Sequence, residues 1–161
     1  MIVSNTTPLS SLLRIDRQGL LSALYGKIVI PQAVADELDR GEFRVGRWRD
    51  KVSGFVDILK PDANPMLALL AREVDLGEAE AIALATQQNA KLLIIDDYAG
   101  RKAAQQLNLS ITGTVGVIMA ASDAGLVSRP FHLIEELRTQ GGLWLSDGFI
   151  ERLRNTFSNL E

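Results

Sequence analysis

The sequence predicts an α/β sandwich in which helices cover both faces of a parallel sheet. Short apolar runs rich in β-branched residues alternate with longer stretches of helical periodicity, which is typical of repeated strand–helix units. Acid or amide side chains directly follow two of these runs: Asn5 follows residues 2–4, and Asp96 and Asp97 follow residues 92–95. Since ligands of open parallel sheets bind beyond the carboxyl ends of the strands, these side chains are predicted to converge.

The amino-terminal part of the chain has clear helix and strand signals. Thr7 and Pro8 match a helix N-cap followed by proline at the first helical position, and a leucine-rich stripe continues to a break near Gly19. Pro31 is expected to start the next helix and Gly41 to end it. The strands predicted here are residues 1–4, 27–30 and 56–59, the last at an edge of the sheet.

The remainder alternates in the same way. Pro61 to Pro65 is predicted to be a loop, and Gly141-Gly142 is predicted to join the last two helices. Strands are expected at residues 91–95 and 110–111. Helices are expected at residues 66–74, 77–88, 98–107 and 114–124, with two more within 130–161.

Composition narrows the classes of function. The 161 residues with 47% hydrophobic content suit one folded domain and argue against disorder. Cysteine is absent and His132 is the single histidine, which disfavours disulfides, thiolate zinc sites, cysteine nucleophiles and histidine triads. A net charge of −3 gives no global support to nucleic-acid binding, so only a local basic surface would hold phosphates. No signal-like start and no apolar stretch of roughly 20 residues is present, which predicts a cytoplasmic protein without a membrane partner.

Several acids are candidate metal ligands. Asp96 and Asp97 point to opposite sides if they continue a strand, so one would bind metal while the other caps the next helix; alternatively both cap that helix. Glu78 and Glu80 lie in the first turn of a helix, where they either reach into a cleft or complement the helix dipole. Glu37 lies beside an apolar helical stripe and is expected to be a ligand only together with the others; otherwise it is solvated or salt-bridged.

Asn5 is interpreted either as a turn or cap residue or as an oxygen ligand. Oxygen-rich clusters are what Mg²⁺ and Mn²⁺ prefer. The sequence therefore predicts a site for a hard divalent cation at the sheet edge.

A basic segment runs from residue 42 to residue 54. Arg44, Arg47 and Arg49, with Lys51, would contact phosphates, and Trp48 would stack on a base. The alternative, a solvated basic helix or a surface facing a protein partner, is preferred.

A resemblance to a known family rests on five segments in register. They are I-V-S-N-T-T-P-L at 2–9, I-V-I-P at 28–31 with Val34, Glu37 and Leu38, G-E-A-E-A-I-A-L-A at 77–85, L-I-I-D-D at 93–97 with Arg101, and G-T-V-G-V at 113–117. Together they look like a PIN domain, closest to the bacterial PIN-like proteins related to toxins of VapBC-type toxin–antitoxin pairs. The resemblance covers nearly the whole chain up to about residue 124.

The resemblance implies a three-layer sandwich with a central parallel sheet. It implies a single domain over residues 1–161, with a core of about 1–124 and a C-terminal helical extension of about 125–161. Members of this family resemble the flap-endonuclease core, in which acids from separate segments bind one or two Mg²⁺ or Mn²⁺ ions and cleave RNA phosphodiesters.

Residue by residue, the resemblance assigns the family's first acid to Asn5, where active nucleases have Asp. It assigns the helix acid to Glu37 and the later acids to Glu78 or Glu80 and to Asp96 or Asp97. The first choices for direct or water-mediated ligands are Glu37, Glu80 and Asp97. Arg101 is expected either to neutralise a substrate phosphate or to hold an acid in a bidentate pair.

The implied function is a metal-dependent ribonuclease, the toxin of a toxin–antitoxin pair, with RNA and an antitoxin as partners and a homodimeric assembly. Asn5 removes one negative charge, which predicts weaker cation binding. The alternative is a weak or inactive PIN-like module that binds RNA or a partner protein. A phosphatase or other metal hydrolase ranks behind both, because no nucleophile motif is present. The apolar residues of the tail are expected to cover the sheet or to form a symmetric interface.

Overall fold

The computed structural model of the chain describes residues 1–41 and 43–158, in which the strands form one parallel five-stranded sheet of order β3-β2-β1-β4-β5. Glu42, where the predicted basic segment begins, and residues 159–161 of the predicted C-terminal extension lie outside the described residues. The strands are β1 (Ile2–Ser4), β2 (Ile28–Pro31), β3 (Val56–Leu59), β4 (Leu92–Ile94) and β5 (Ile111–Thr112).

The helices flank this sheet on both sides, as the alternating pattern predicted. They are α1 (Thr6–Arg14), α2 (Gly19–Tyr25), α3 (Gln32–Asp39), α4 (Trp48–Val52), α5 (Pro65–Glu73), α6 (Leu76–Gln87), α7 (Tyr98–Gln106), α8 (Thr114–Asp123), α9 (Pro130–Thr139) and α10 (Asp147–Phe157). The predicted α/β sandwich with a central parallel sheet is therefore confirmed.

Two apolar clusters, one on each face of the sheet, hold the layers together. The strands contribute to both clusters, because successive residues of a strand face opposite sides of a sheet. Ile28 and Ile30 pack into one cluster, and Val29 packs into the other. Ile94 and Leu93 divide between the two clusters in the same way. Apolar residues of α5, α6 and α7 complete the second cluster, and those of α1, α2, α8, α9 and α10 contribute to the first.

The tail helices belong to the first cluster. Leu133, Ile134 and Leu137 of α9 are buried with Ile150 and Leu153 of α10. The tail is therefore part of the core cluster on one face of the sheet and packs there on α8, and the symmetric interface stays a prediction.

Two helix starts differ from the predictions. Helix α1 begins at Thr6 with Asn5 at its N-cap position, so Thr7 is not the cap and Pro8 is the third helical residue. Pro31 is the last residue of β2, paired in register with Leu59, and α3 begins after it. Proline suits both places because its backbone nitrogen has no proton to donate, either to a sheet ladder or in the first turn of a helix.

Candidate functional site

The candidate site lies where the order of strands reverses. β1 is the central strand, with β2 on one side and β4 on the other, and its register with β4 pairs Val3 with Leu93 and Ser4 with Ile94. The Asn5 backbone N–H donates to the Ile94 carbonyl at 2.9 Å and extends this pairing by one residue. The predicted parallel pairing of these two strands is confirmed, and such reversals are where open α/β sheets bind ligands.

Asn5 contributes an unusual acceptor. An N-cap side chain normally accepts the N–H of the second or third helical residue. In α1 the third residue is Pro8, which has no N–H, and the Asn5 side chain makes no cap hydrogen bond. Asn5 is 4% exposed, and its Oδ1 is buried without a hydrogen-bond partner. A buried acceptor left in this state is costly, so the sequence N-T-T-P leaves one oxygen available to a ligand.

Glu37 reaches the site from α3. Its Oε2 accepts a hydrogen bond from Thr6 Oγ1 at 2.7 Å, so it lies against the residue next to Asn5. A Cβ built on Gly77 would collide with Glu37 Oε1. The glycine at this position of α6 is therefore what allows Glu37 to approach the amino-terminal turn of that helix.

Glu78 is the buried acid of the site. It forms a capping box with Asp75: the Glu78 N–H donates to Asp75 Oδ1 at 2.8 Å, and the Asp75 N–H donates to Glu78 Oε2 at 3.3 Å. Burial first, then the nearby negative charges of Asp75, Asp97 and Glu37, raise the pKa of Glu78 from 4.5 to about 7. The charges of three neighbouring carboxylates therefore act on Glu78.

Asp75 was absent from the predicted site. Its charge is the largest single electrostatic influence on the pKa of Glu78, although it is itself exposed. The spacing D-x-x-E at residues 75–78 is a capping-box signature that sequence reasoning had available.

Asp97 caps α7, as one of the two interpretations of the acid pair expected. Its Oδ2 accepts the N–H groups of Ala99 at 2.9 Å and Gly100 at 3.2 Å. Its side chain is exposed, and its charge acts on Glu78. One carboxylate oxygen is thus used by the helix, while the group as a whole still adds charge to the site.

Asp96 faces a different set of partners. Its carboxylate accepts the Thr114 N–H at 2.8 Å and the Thr114 hydroxyl at 2.5 Å, which ties β4 to the start of α8. Burial raises the pKa of Asp96, while these hydrogen bonds and the charge of Arg101 oppose that rise. Arg101 donates from Nη1 to the Ile95 carbonyl at 2.9 Å. Asp96 thus bonds the start of α8 and not of α7, so the alternative that both acids cap α7 is wrong, and metal binding by Asp96 stays a prediction.

Glu80 is also engaged elsewhere. Its Oε2 accepts the backbone N–H of Ala33 at 2.9 Å, in the first turn of α3, and the residue is 7% exposed. The charges of Glu37 and Asp97 act on Glu78, two residues away. The geometry therefore favours Glu78 over Glu80 as the acid that acts together with Glu37 and Asp97, and the assignment of either to a metal stays a prediction.

The donor set fits a hard divalent cation. Asn5 Oδ1 has no hydrogen-bond partner. Within residues 1–41 and 43–158, none of the three acids Asp75, Glu78 and Asp97 takes part in an ion pair. In the same residues no three acid, histidine or cysteine side chains lie at the spacing of a ready-made metal site. Mg²⁺ usually retains several waters and needs only one or two carboxylates, so such spacing is not required.

The basic segment packs against the end of α3. Arg47 pairs with Asp50, and Arg49 pairs with Asp39 at 2.7 Å. Trp48 is 4% exposed and its indole N–H donates to Asp39 at 2.9 Å, so the expectation that it stacks on a base is wrong. Arg44 is exposed with a positive φ of 55°, and no described contact links it to the acids. Phosphate binding by Arg44, Arg47 and Arg49 remains a prediction.

Comparison with known proteins gives one family. A family model described as a PIN domain matches residues 1–159. No curated protein matches the chain. In the described residues, no helix has the length and apolar character that crossing a membrane requires.

Proposed function

Because the chain belongs to the PIN-domain family, whose fold is that of a nuclease, we propose that it is a Mg²⁺- or Mn²⁺-dependent endoribonuclease. The observation that carries this proposal is the buried, unpartnered Oδ1 of Asn5 at the edge where the charges of Glu37 and Asp97 act on the buried Glu78. A divalent cation would satisfy the amide oxygen and relieve the repulsion among the carboxylates.

Four residues of this chain would hold the cation: Asn5, Glu37, Glu78 and Asp97. The metal supplies an activated water and charge stabilisation at the scissile phosphate. Thr6 fixes Glu37 by its hydroxyl, and the capping box fixes Glu78. In the metal-free protein Glu78, with a pKa of about 7, holds a proton up to near neutral pH, and binding of the cation would release it.

A second candidate is a PIN-like module that binds RNA or a protein without cutting. Asn5 favours it, because an amide in place of the family's carboxylate lowers the negative charge available to the cation. The acidic pI of about 5.2 favours it as well. The two candidates differ in whether phosphodiester cleavage follows binding.

The role in the cell is proposed from the same resemblance. The chain would be the toxin of a VapBC-type pair, held inactive in the cytoplasm by an antitoxin protein. Each chain would form a single PIN-like domain, and two chains would associate as a homodimer. Light scattering at micromolar concentration tests the dimer, and a strictly monomeric species would contradict it.

Metal binding and cleavage test the main proposal. Calorimetry with Mn²⁺ should show binding to the wild type, tighter binding to Asn5→Asp and loss of binding in Asp97→Asn. Asparagine retains an acceptor oxygen for the α7 cap, so this last loss would reflect charge and not misfolding. Asp123→Asn makes the same chemical change at an exposed position at the end of α8 and should bind as the wild type does.

Cleavage of a labelled RNA should follow the order of Mn²⁺ affinity. If neither the wild type nor Asn5→Asp binds Mn²⁺ at millimolar concentration, the acid cluster is structural and the ribonuclease proposal fails. If both bind Mn²⁺ but neither cleaves RNA, the binding-module alternative replaces it.

A further inference from the structure

Two aromatic side chains beside the acids are left in water. Tyr98 is 80% exposed and Trp144 is 83% exposed, and they are the most exposed of the large hydrophobic residues described. Tyr98 opens α7 directly after Asp97, and Trp144 lies in the connection between α9 and α10. Folding gains little from aromatic rings that remain this exposed, so their position points to a surface that binds something.

Both rings line the same recess. Two adjoining cavities of about 670 Å³ and 690 Å³ include Tyr98 and Trp144 in their walls. The first also reaches Asp97, and the second continues along the start of α8 to Met119. The recess therefore begins beside Asp97, one of the candidate cation ligands, and extends along α8, with a size suited to nucleotide-sized groups.

A positively charged side chain lies in the same wall. Arg152 lines both cavities, and its guanidinium lies over the Phe149 ring at 5.6 Å. Within residues 1–41 and 43–158, Arg152 forms no ion pair with a carboxylate, whereas Arg154 on the same helix binds Glu151 at 2.6 Å. An unpaired guanidinium beside two exposed rings is complementary to an anionic chain that carries flat bases.

We propose that Tyr98 and Trp144 form a stacking clamp for unpaired bases of an RNA strand, and that Arg152 binds the phosphates of that strand. The inference rests on the proposed ribonuclease function and adds the residues that would grip the RNA strand outside the cation-binding set. Base–aromatic stacking requires the face of a base, which a double helix covers on both sides. The clamp then holds the strand with its backbone next to Asp97.

Binding is measured without cleavage. A short fluorescein-labelled oligoadenylate is titrated with the full chain in EDTA, and its anisotropy is followed. Trp144→Ala and Tyr98→Ala should each weaken the affinity roughly tenfold, the usual size of a lost base stack. Trp144→Phe keeps an aromatic face and should bind almost as the wild type does. Leu69→Ala, which removes a 61% exposed apolar side chain on α5, is the matched control and should have no effect.

Tryptophan fluorescence gives a second readout. Trp48 is 4% exposed, so quenching by added oligoadenylate should come from Trp144. The quenching should be absent in Trp144→Phe although this variant still binds. The same oligomer annealed to its complement should bind more weakly and quench less.

The outcomes separate the clamp from the ribonuclease function. If Trp144→Ala binds oligoadenylate as tightly as the wild type while the wild type cleaves RNA in Mn²⁺, the clamp is wrong and the function stands. If binding depends on Trp144 but no variant cleaves, the clamp stands and the ribonuclease proposal falls. A wild type that does not bind oligoadenylate, or that binds the duplex equally well, overturns the clamp and leaves the recess to a protein partner.

Discussion

Replacing Glu78 by glutamine should make stability less dependent on pH. Between pH 4.5 and about 7, the folded protein keeps a proton on Glu78 that the unfolded chain has released. The free energy of unfolding therefore falls as the pH rises through this window. Glu78 is 7% exposed, and at about 1.4 kcal/mol per pKa unit the full rise corresponds to about 3 kcal/mol above pH 7.

The variant keeps the shape of the side chain and an acceptor for the Asp75 N–H, but it carries no charge. At pH 8 Glu78→Gln should be more stable than the wild type by up to about 3 kcal/mol, and at pH 4.5 the two should be nearly equal. Urea unfolding followed by circular dichroism in EDTA at several pH values measures this difference.

Glu73→Gln is the control, because Glu73 is exposed at the end of α5. It should follow the wild type within about 0.5 kcal/mol at every pH. If the curves of Glu78→Gln and the wild type run parallel from pH 4.5 to pH 8, the pKa of Glu78 is not raised by burial and the neighbouring charges, and that support for a cation site at Glu78 is lost.

Two further substitutions test the site and the tail. Gly77→Ala places a methyl group against Glu37 Oε1 and should displace that carboxylate. The Mn²⁺ affinity measured by calorimetry should therefore drop about tenfold or more. Gly148→Ala is the control, because no atom lies near its added methyl group, and it should leave the Mn²⁺ affinity unchanged. Unchanged affinity in Gly77→Ala would remove Glu37 from the ligand set. Leu153→Ala should lower the free energy of unfolding by about 2–5 kcal/mol, because Leu153 is 5% exposed and belongs to the first cluster. Urea unfolding measures this loss, and a value below about 1 kcal/mol would show that the tail is not part of the core.

The strands β2 and β4 were predictable because they are short apolar runs with buried residues on both faces. In β2 the residues Ile28, Val29 and Ile30 divide between the two clusters, which is why the run shows no polar residue. The edge position of β3 was predictable from its alternation, since Val56 and Ile58 are half-buried and Asp57 is exposed.

The start of α1 was harder to predict because two signals compete. Thr7-Pro8 fits a cap and first helical residue, but Asn5 precedes them and takes the cap position. Proline is tolerated throughout the first turn, so its presence does not fix the boundary to one residue.

The choice between Glu78 and Glu80 could not be made from local sequence. The two side chains lie on different faces of α6, and which face meets the other acids depends on where α3 packs. In the structure α3 offers Glu80 the N–H of Ala33 and offers Glu78 the charge of Glu37. A similar limit applies to Trp48, whose burial depends on α3 through its bond to Asp39.

The central place of β1 has a consequence for how the protein is made. A chain is synthesised from its amino terminus, so β1 and β2 leave the ribosome long before β4. Until residues 92–94 arrive, one edge of β1 has no partner, and such an edge is prone to pair with another chain. A chain whose synthesis stops before α6 contains Asn5 and Glu37 but not Glu78 and Asp97. It therefore has only half of the residues proposed to bind the cation.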